Sequence, residues 1–149
     1  MSTRKFCKIR PSHWYQPKIK VMNVEDRLLA IYLMTSPTFE MLGLYYIPIS
    51  LMVEHTGLDQ EQIIESLNRL KDLDFAKYDF DMQYVWVVDM ATSQVADNPN
   101  TNQIKGVRKA LTRLWEDEAP FVDEWCQKHG RFGISIKHLE QGLYLHDDE

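Results

Sequence analysis

Cysteine is scarce in this 149-residue chain: Cys7 and Cys126 are the only two. That excludes a disulfide-stapled scaffold and fits a reducing compartment. Long apolar runs are missing too, none approaching the roughly 20 residues a membrane span needs. The N-terminus is basic but lacks the apolar core of a signal peptide, so a cytoplasmic protein without a membrane partner is expected. Glycine is sparse at six residues, and none builds a G-x-x-x-x-G-K-[ST] phosphate loop, a G-x-G-x-x-G turn or a G-x-S-x-G elbow. The five histidines, His13, His55, His129, His138 and His146, share no zinc spacing. Cys126 and His129 could offer two ligands, but no second pair accompanies them. Asp79 and Asp81 fall in a hairpin, where turn chemistry explains them more simply than catalysis. No metal, cofactor or enzymatic activity is expected.

What is present is an ordinary globular composition, 44% hydrophobic and 26% charged, with a net charge of −5. The total hides a segmentation. Residues 1–20 carry Arg4, Lys5, Lys8, Arg10, Lys18 and Lys20 and no acid. Residues 21–96 hold twelve acids against four bases. Lys105, Arg108, Lys109 and Arg113 then face Asp97 alone in 97–115, and 116–149 is acidic again. Two basic stretches bracket an acidic middle, and a polyanion would most plausibly meet the first.

Asn23 is a good helix N-cap, with Glu25 and Asp26 at the positive end of the helix dipole. Val24, Leu28, Leu29, Ile31, Tyr32 and Leu33 recur at helical spacing up to Ser36-Pro37. Residues 44–47 read as a short strand. Pro48 opens a helix that breaks at Thr56-Gly57, and Asp59 with Gln62 makes a capping-box pattern for the next. Ile63, Ile64, Leu67, Leu70 and Leu73 form its apolar stripe. Residues 75–80 and 84–88 read as a hairpin around Asp81-Met82-Gln83. Helix, strand, helix, turn, helix, hairpin is the order of a winged helix-turn-helix. The expected fold is mainly α with a small β-sheet, and four regions follow. They are a basic N-terminal arm at 1–20, the winged helix-turn-helix at 21–90, a connector at 91–103, and a helical C-terminal extension with an acidic tail at 104–149. Within the extension, helices are expected at 104–115 and 121–128, and 134–145 reads as helix or as strand and turn.

A winged helix places its last core helix in the DNA major groove. Gln62, Ser66 and Arg69 are its candidate base contacts, because Gln bonds adenine edges and Arg guanine. Glu61, Glu65 and Asp72 on the same helix would repel phosphate. Lys77 is the candidate wing contact. Arg4, Lys5, Lys8, Arg10, Lys18 and Lys20, interleaved with Phe6, Trp14 and Tyr15, combine phosphate contacts with stacking, unless Trp14 and Tyr15 cover the core. Lys105, Arg108, Lys109 and Arg113 form a positive stripe opposite an apolar one, which could equally meet the acidic middle of the same or a second chain.

Several stretches together resemble a known family. They are His13-Trp14-Tyr15, the run from Asp26 through Arg27-Leu28-Leu29-Ala30-Ile31-Tyr32-Leu33-Met34-Thr35-Ser36 to Pro37, and Gly43-Leu44-Tyr45. Gly57-Leu58-Asp59, Trp86-Val87-Val88, Gln94 with Asn98-Pro99, and Ile104-Lys105-Gly106-Val107 continue the likeness over roughly residues 10–115. They resemble the N-terminal domain of phage replisome-organiser proteins, the phage and prophage replication initiators related to DnaD-type primosome proteins. The resemblance implies a non-enzymatic winged helix that binds double-stranded origin DNA and helps recruit the helicase or its loader, with homodimerisation a common family trait. The reading helix would be 60–73 and the wing 77–83. The chain departs from the family in its acidic reading helix. It also ends at Glu149, which leaves no room for the further C-terminal domain many such proteins carry; a truncated or repurposed relative is the expectation. The alternative is an adaptor of the same fold that docks a protein partner through its acidic helix without touching DNA.

Overall fold

Asn23 accepts a hydrogen bond from the Asp26 amide at 2.8 Å and starts the first long helix, which runs until Pro37 makes continuation unfavourable. The computed structural model describes residues 6–94, 100–130 and 136–142. The chain divides into two units, Met1–Gln94 and Val95–Glu149. Among the described residues no helix is long and apolar enough to cross a membrane.

The first unit begins with a 3-10 turn, Pro11–Tyr15, and a one-turn helix α1, Pro17–Lys20. Then come α2 (Val24–Thr35), β1 (Leu44–Tyr46), α3 (Ile49–Thr56), α4 (Gln60–Asp72), β2 (Ala76–Asp79), β3 (Tyr84–Val87) and α5 (Met90–Gln94). The mainly α fold with a small sheet is thus present, in the expected order. The reciprocal capping box of Asp59 and Gln62 opens α4, and Gly57, in the left-handed region, ends α3. The three strands form an antiparallel sheet in the order β1-β3-β2, with Tyr45 opposite Val85 and Val85 opposite Tyr78.

The core lies where the three longest helices of this unit meet that sheet. Leu29, Ala30 and Leu33 of α2, Met52 of α3 and Ile63, Leu67 and Leu70 of α4 close on Tyr45, Ile47, Val85 and Val87. Strand alternation sends Tyr45, Val85 and Tyr78 inward and brings Tyr46 against Tyr84 on the opposite face, ring centroids 6.1 Å apart. The Tyr45 hydroxyl donates to the Leu33 carbonyl and accepts from Ser36 Oγ, so the one polar atom of a buried ring is satisfied at the end of α2.

Two expected regions differ. Residues 1–20 are not a free arm along their whole length, because His13 of the 3-10 turn and Ile19 of α1 are buried. The Gln94 side chain holds the Lys8 backbone from both sides, accepting from its amide at 3.1 Å and donating to its carbonyl at 2.6 Å. The expected connector is shorter at both ends. Met90 and Ala91 are buried in α5, and Asn100 forms a capping box with Gln103 that opens α6, Thr101–Glu116. Residues 95–99 lie outside the described ones.

The second unit contains α6, α7 (Val122–Lys128) and α8 (Ile136–Glu140). Val107 and Leu111 on α6, Val122, Trp125 and Cys126 on α7, His129 after it and Leu139 on α8 are its buried residues among those described. Burial pushes the Cys126 thiol up to about 11, so this cysteine is an inert apolar filler. His129 lies against the Trp125 ring at 4.6 Å. Of 134–145, read as helix or as strand and turn, Ile136–Glu140 is helix and residues 141–142 are a turn; 134, 135 and 143–145 lie outside the described residues.

Gly43 and Gly57 both have positive φ, 75° and 79°, but differ in surroundings. A Cβ on Gly43 would stand 2.5 Å from Met90 Cβ and 2.8 Å from the Val87 carbonyl, whereas one on Gly57 meets nothing within 4 Å. Gly57→Ala is therefore expected to cost about 1–2 kcal/mol from backbone conformation alone. Gly43→Ala should cost about 1–3 kcal/mol more from overpacking. Urea denaturation of the two variants checks this, and equal losses would contradict the contact.

Candidate functional site

The inner stripe of α2 contains one acid. Asp26 lies three residues before Leu29 and four before Ala30, in phase with the core, and is only 3% exposed. On α4, Ser66 and Arg69 fall in phase with Ile63, Leu67 and Leu70 in the same way. The helices meet there: Ser66 Oγ donates to Asp26 Oδ1 at 2.6 Å, and Arg69 Nε donates to both carboxylate oxygens at 3.0 Å. Glu25 joins from the rim, 3.5 Å from Arg69 Nη2 and accepting from Gln62 Nε2 at 3.0 Å. The hydrogen bond to Asp26 is the main cause that raises the Arg69 pKa above its ordinary value, so this guanidinium remains charged throughout.

This geometry corrects the expected reading face. Ser66 is completely buried and cannot reach a base edge. Gln62 and Arg69 are turned onto α2, held by Glu25 and Asp26. The residues α4 exposes are Gln60, Glu61, Glu65, Asn68, Lys71 and Asp72. Its solvent face is acidic on balance, a poor match for a phosphate-lined groove. The cue in the sequence was phase: Ser66 and Arg69 recur with the apolar stripe.

The wing lysine is also engaged. Lys77 Nζ lies 3.8 Å from Asp74 Oδ1 and 5.4 Å from the centre of the Trp86 ring. At the hairpin turn, Asp79 Oδ1 accepts from the amides of Asp81 and Met82, the turn role expected of it.

In the arm, Lys18 is tied down, donating to the Asp74 carbonyl at 2.8 Å and lying 3.6 Å from Asp89 Oδ2. Lys8, Arg10 and Lys20 are exposed, whereas Arg4 and Lys5 lie outside the described residues. Trp14 and Tyr15 do not cover the core; His13 does, and the two aromatic rings face solvent at 53% and 76% exposure. Beneath the arm is a cavity of about 40 Å³ bordered by His13, Lys18, Phe75, Asp89 and Met90, among others. Ligand pockets of drug size run to about 300–1,000 Å³, so this one does not suit a nucleotide or metabolite. Neither ring nitrogen of His13 has a hydrogen-bond partner among the described residues.

On α6, Lys105, Lys109 and Arg113 are exposed at intervals of four and Arg108 is half-buried, opposite Val107 and Leu111. Of the stripe expected from the sequence, Lys105, Lys109 and Arg113 share one exposed face and Arg108 lies off it, toward the buried side. Among the described residues no group of His, Cys, Asp and Glu could hold a metal ion.

No family model, curated protein or solved structure matches the chain.

Asp26→Ala removes the acceptor of two donors at a buried seam and is expected to cost about 3–5 kcal/mol. Ser66→Ala should cost less, about 1–2 kcal/mol. Arg69→Ala should cost at least as much as Asp26→Ala, because it leaves the Asp26 carboxylate, 3% exposed, in the seam with Ser66 alone. Chemical denaturation of the three variants gives the ranking, and an Arg69 loss smaller than that of Ser66 would contradict it.

Burial lowers the His13 pKa below 6.5. The unfolded chain then binds a proton more readily than the folded one, so the contribution of neutral His13 is complete above pH 6.5. It is lost as pH falls through the lower, folded value. Stability of the wild type should fall more steeply than that of His13→Leu between pH 7 and 5. Parallel curves would show that His13 does not titrate with unfolding.

Proposed function

We propose that this protein is a non-enzymatic winged-helix DNA-binding protein of the phage or prophage replisome-organiser type, acting in replication initiation in a bacterial cytoplasm. The observation that carries the reading is the helix, strand, helix, turn, helix, hairpin order built around one core. The acid-free stretch 1–20 and the cations of α6 give it phosphate-binding material. Because α4 presents Glu61, Glu65 and Asp72, binding rests on phosphate contacts rather than base readout by that helix. The contacts are Lys8, Arg10 and Lys20 in the arm and Lys105, Lys109 and Arg113 on α6, with Arg108 beside them. Duplex DNA at an origin is the partner this reading implies, with a helicase or its loader as the protein recruited and a homodimer as the binding form.

The acidic solvent face of α4 favours a second reading, an adaptor of the same architecture that docks a protein partner through Glu61, Glu65 and Asp72. Salt separates the two. A phosphate-led complex should bind random duplex with a dissociation constant of about 10⁻⁴–10⁻⁶ M near physiological salt and tighten steeply as salt is lowered. Lys105→Glu, Lys109→Glu and Arg113→Glu together should lower duplex affinity by at least about 100-fold. They should also flatten the slope of log affinity against log salt by about 0.9 per contact removed. Fluorescence anisotropy over a salt series measures both. No binding of the wild type at low salt would favour the adaptor, and an unchanged slope in the triple variant would remove α6 from the interface.

A further inference from the structure

The arm presents a surface that duplex binding through phosphates does not use. It is docked at several points: Ile19 and His13 are buried, Gln94 holds the Lys8 backbone, and Lys18 reaches Asp89 and the Asp74 carbonyl. Of the neighbouring residues 13–15, His13 occupies the interior, with its ring 5.0 Å from that of Trp14 and nearly perpendicular to it. Trp14 and Tyr15 are left in solvent, and Phe6 is 76% exposed further along the same segment. Large aromatic rings gain most from burial, and a segment this firmly held keeps them outside.

The surroundings of these rings argue for their partner. Residues 6–20 contain no acid, Lys8, Arg10 and Lys20 are exposed in the same segment as the rings, and the nearby Asp89 is paired with Lys18. The other exposed residues of the 3-10 turn and its flanks are Pro11, Ser12, Gln16 and Pro17, and Val21 and Val24 follow Lys20. Flat π faces among cations are the chemistry that takes unpaired bases on a phosphate backbone. In a duplex the base faces are stacked on one another and unavailable.

We infer that Trp14 and Tyr15, with Lys8, Arg10 and Lys20, form a stacking platform for single-stranded nucleic acid. This rests on the nucleic-acid reading above and adds to it: the cations of the arm and of α6 meet phosphates, and the two rings add contacts that only an unpaired strand can make. Stacking rather than charge supplies the selectivity, so the two modes respond differently to salt and to mutation.

The test compares labelled oligothymidylate, oligouridylate and a random-sequence duplex, by anisotropy over a salt series, with the full chain. Trp14→Ala with Tyr15→Ala is expected to weaken oligothymidylate binding by at least tenfold. The salt slope should stay as in the wild type, and duplex affinity should change less than about twofold. Trp14→Phe with Tyr15→Phe, which retains π faces, should recover most of the loss. Thermal melting of the alanine variant should match the wild type, because both rings are already in solvent. Equal affinity for oligouridylate would make the platform general for single strands, and a preference for either oligomer assigns the strand it serves. Duplex binding without single-strand binding by the wild type would overturn the platform alone, whereas binding to neither would overturn the nucleic-acid reading as well. An alanine variant that keeps its single-strand affinity, or loses duplex and single strand equally, also overturns the platform.

Discussion

The pairing of α2 with α4 depends on one buried carboxylate. Asp26 sits in the apolar stripe of α2 and takes hydrogen bonds from Ser66 and Arg69 across the seam. An ionised group withdrawn from water must be matched closely, and a shift of either helix by one residue would leave it unmatched. The apolar residues around it, Leu29, Leu33, Ile63 and Leu70, supply the driving force without fixing register. Asp26 fixes register. The position of α4, and with it the start of the β2–β3 hairpin that follows within a few residues, is set by this contact.

The same contact determines what α4 can offer to a partner. By directing Arg69 and Gln62 onto α2, it removes a guanidinium and an amide from the solvent face and leaves Glu61, Glu65 and Asp72 outside. The exposed cations Lys8, Arg10 and Lys20 of the N-terminal segment and Lys105, Lys109 and Arg113 of α6 make those two stretches the more favourable surfaces for a polyanion. The helix α4 thus serves the core first, and under the proposed reading phosphate binding rests with the flanking segments. That division is consistent with either a polyanion-binding role for the flanks or a protein-docking role for α4, and salt dependence separates the two.

The N-terminal segment shows how a polar residue can be preferred inside. Between His13 and its aromatic neighbours, the smaller ring is buried, at the cost of two unpartnered nitrogens. Meanwhile Trp14 and Tyr15 remain in water. Hydrophobicity alone would give the opposite arrangement. The backbone explains it: a 3-10 turn directs successive side chains about 120° apart, so with the turn anchored by Ile19 and Gln94 only one of the three rings can face the core.

Local chemistry alone determined much of this protein. The Asn23 cap, the Asp59–Gln62 capping box, the Gly57 stop, the stripe of Ile63, Leu67 and Leu70, the hairpin around Asp81-Met82-Gln83 and the cationic stripe of α6 are each set by residues a few positions apart. Short-range hydrogen bonds and side-chain period suffice for them. The Asn100–Gln103 cap was equally legible, but its Asn-Pro-Asn context read as a connector. What only the tertiary structure decided concerns residues far apart in the chain: Asp26 with Ser66 and Arg69, Lys18 with Asp89, Lys8 with Gln94, and His13 chosen over Trp14 for the interior. A polar side chain in phase with an apolar stripe can face water at the edge of that stripe or a buried partner at its centre. The sequence pattern is the same in both cases, and only the arrival of the second helix distinguishes them.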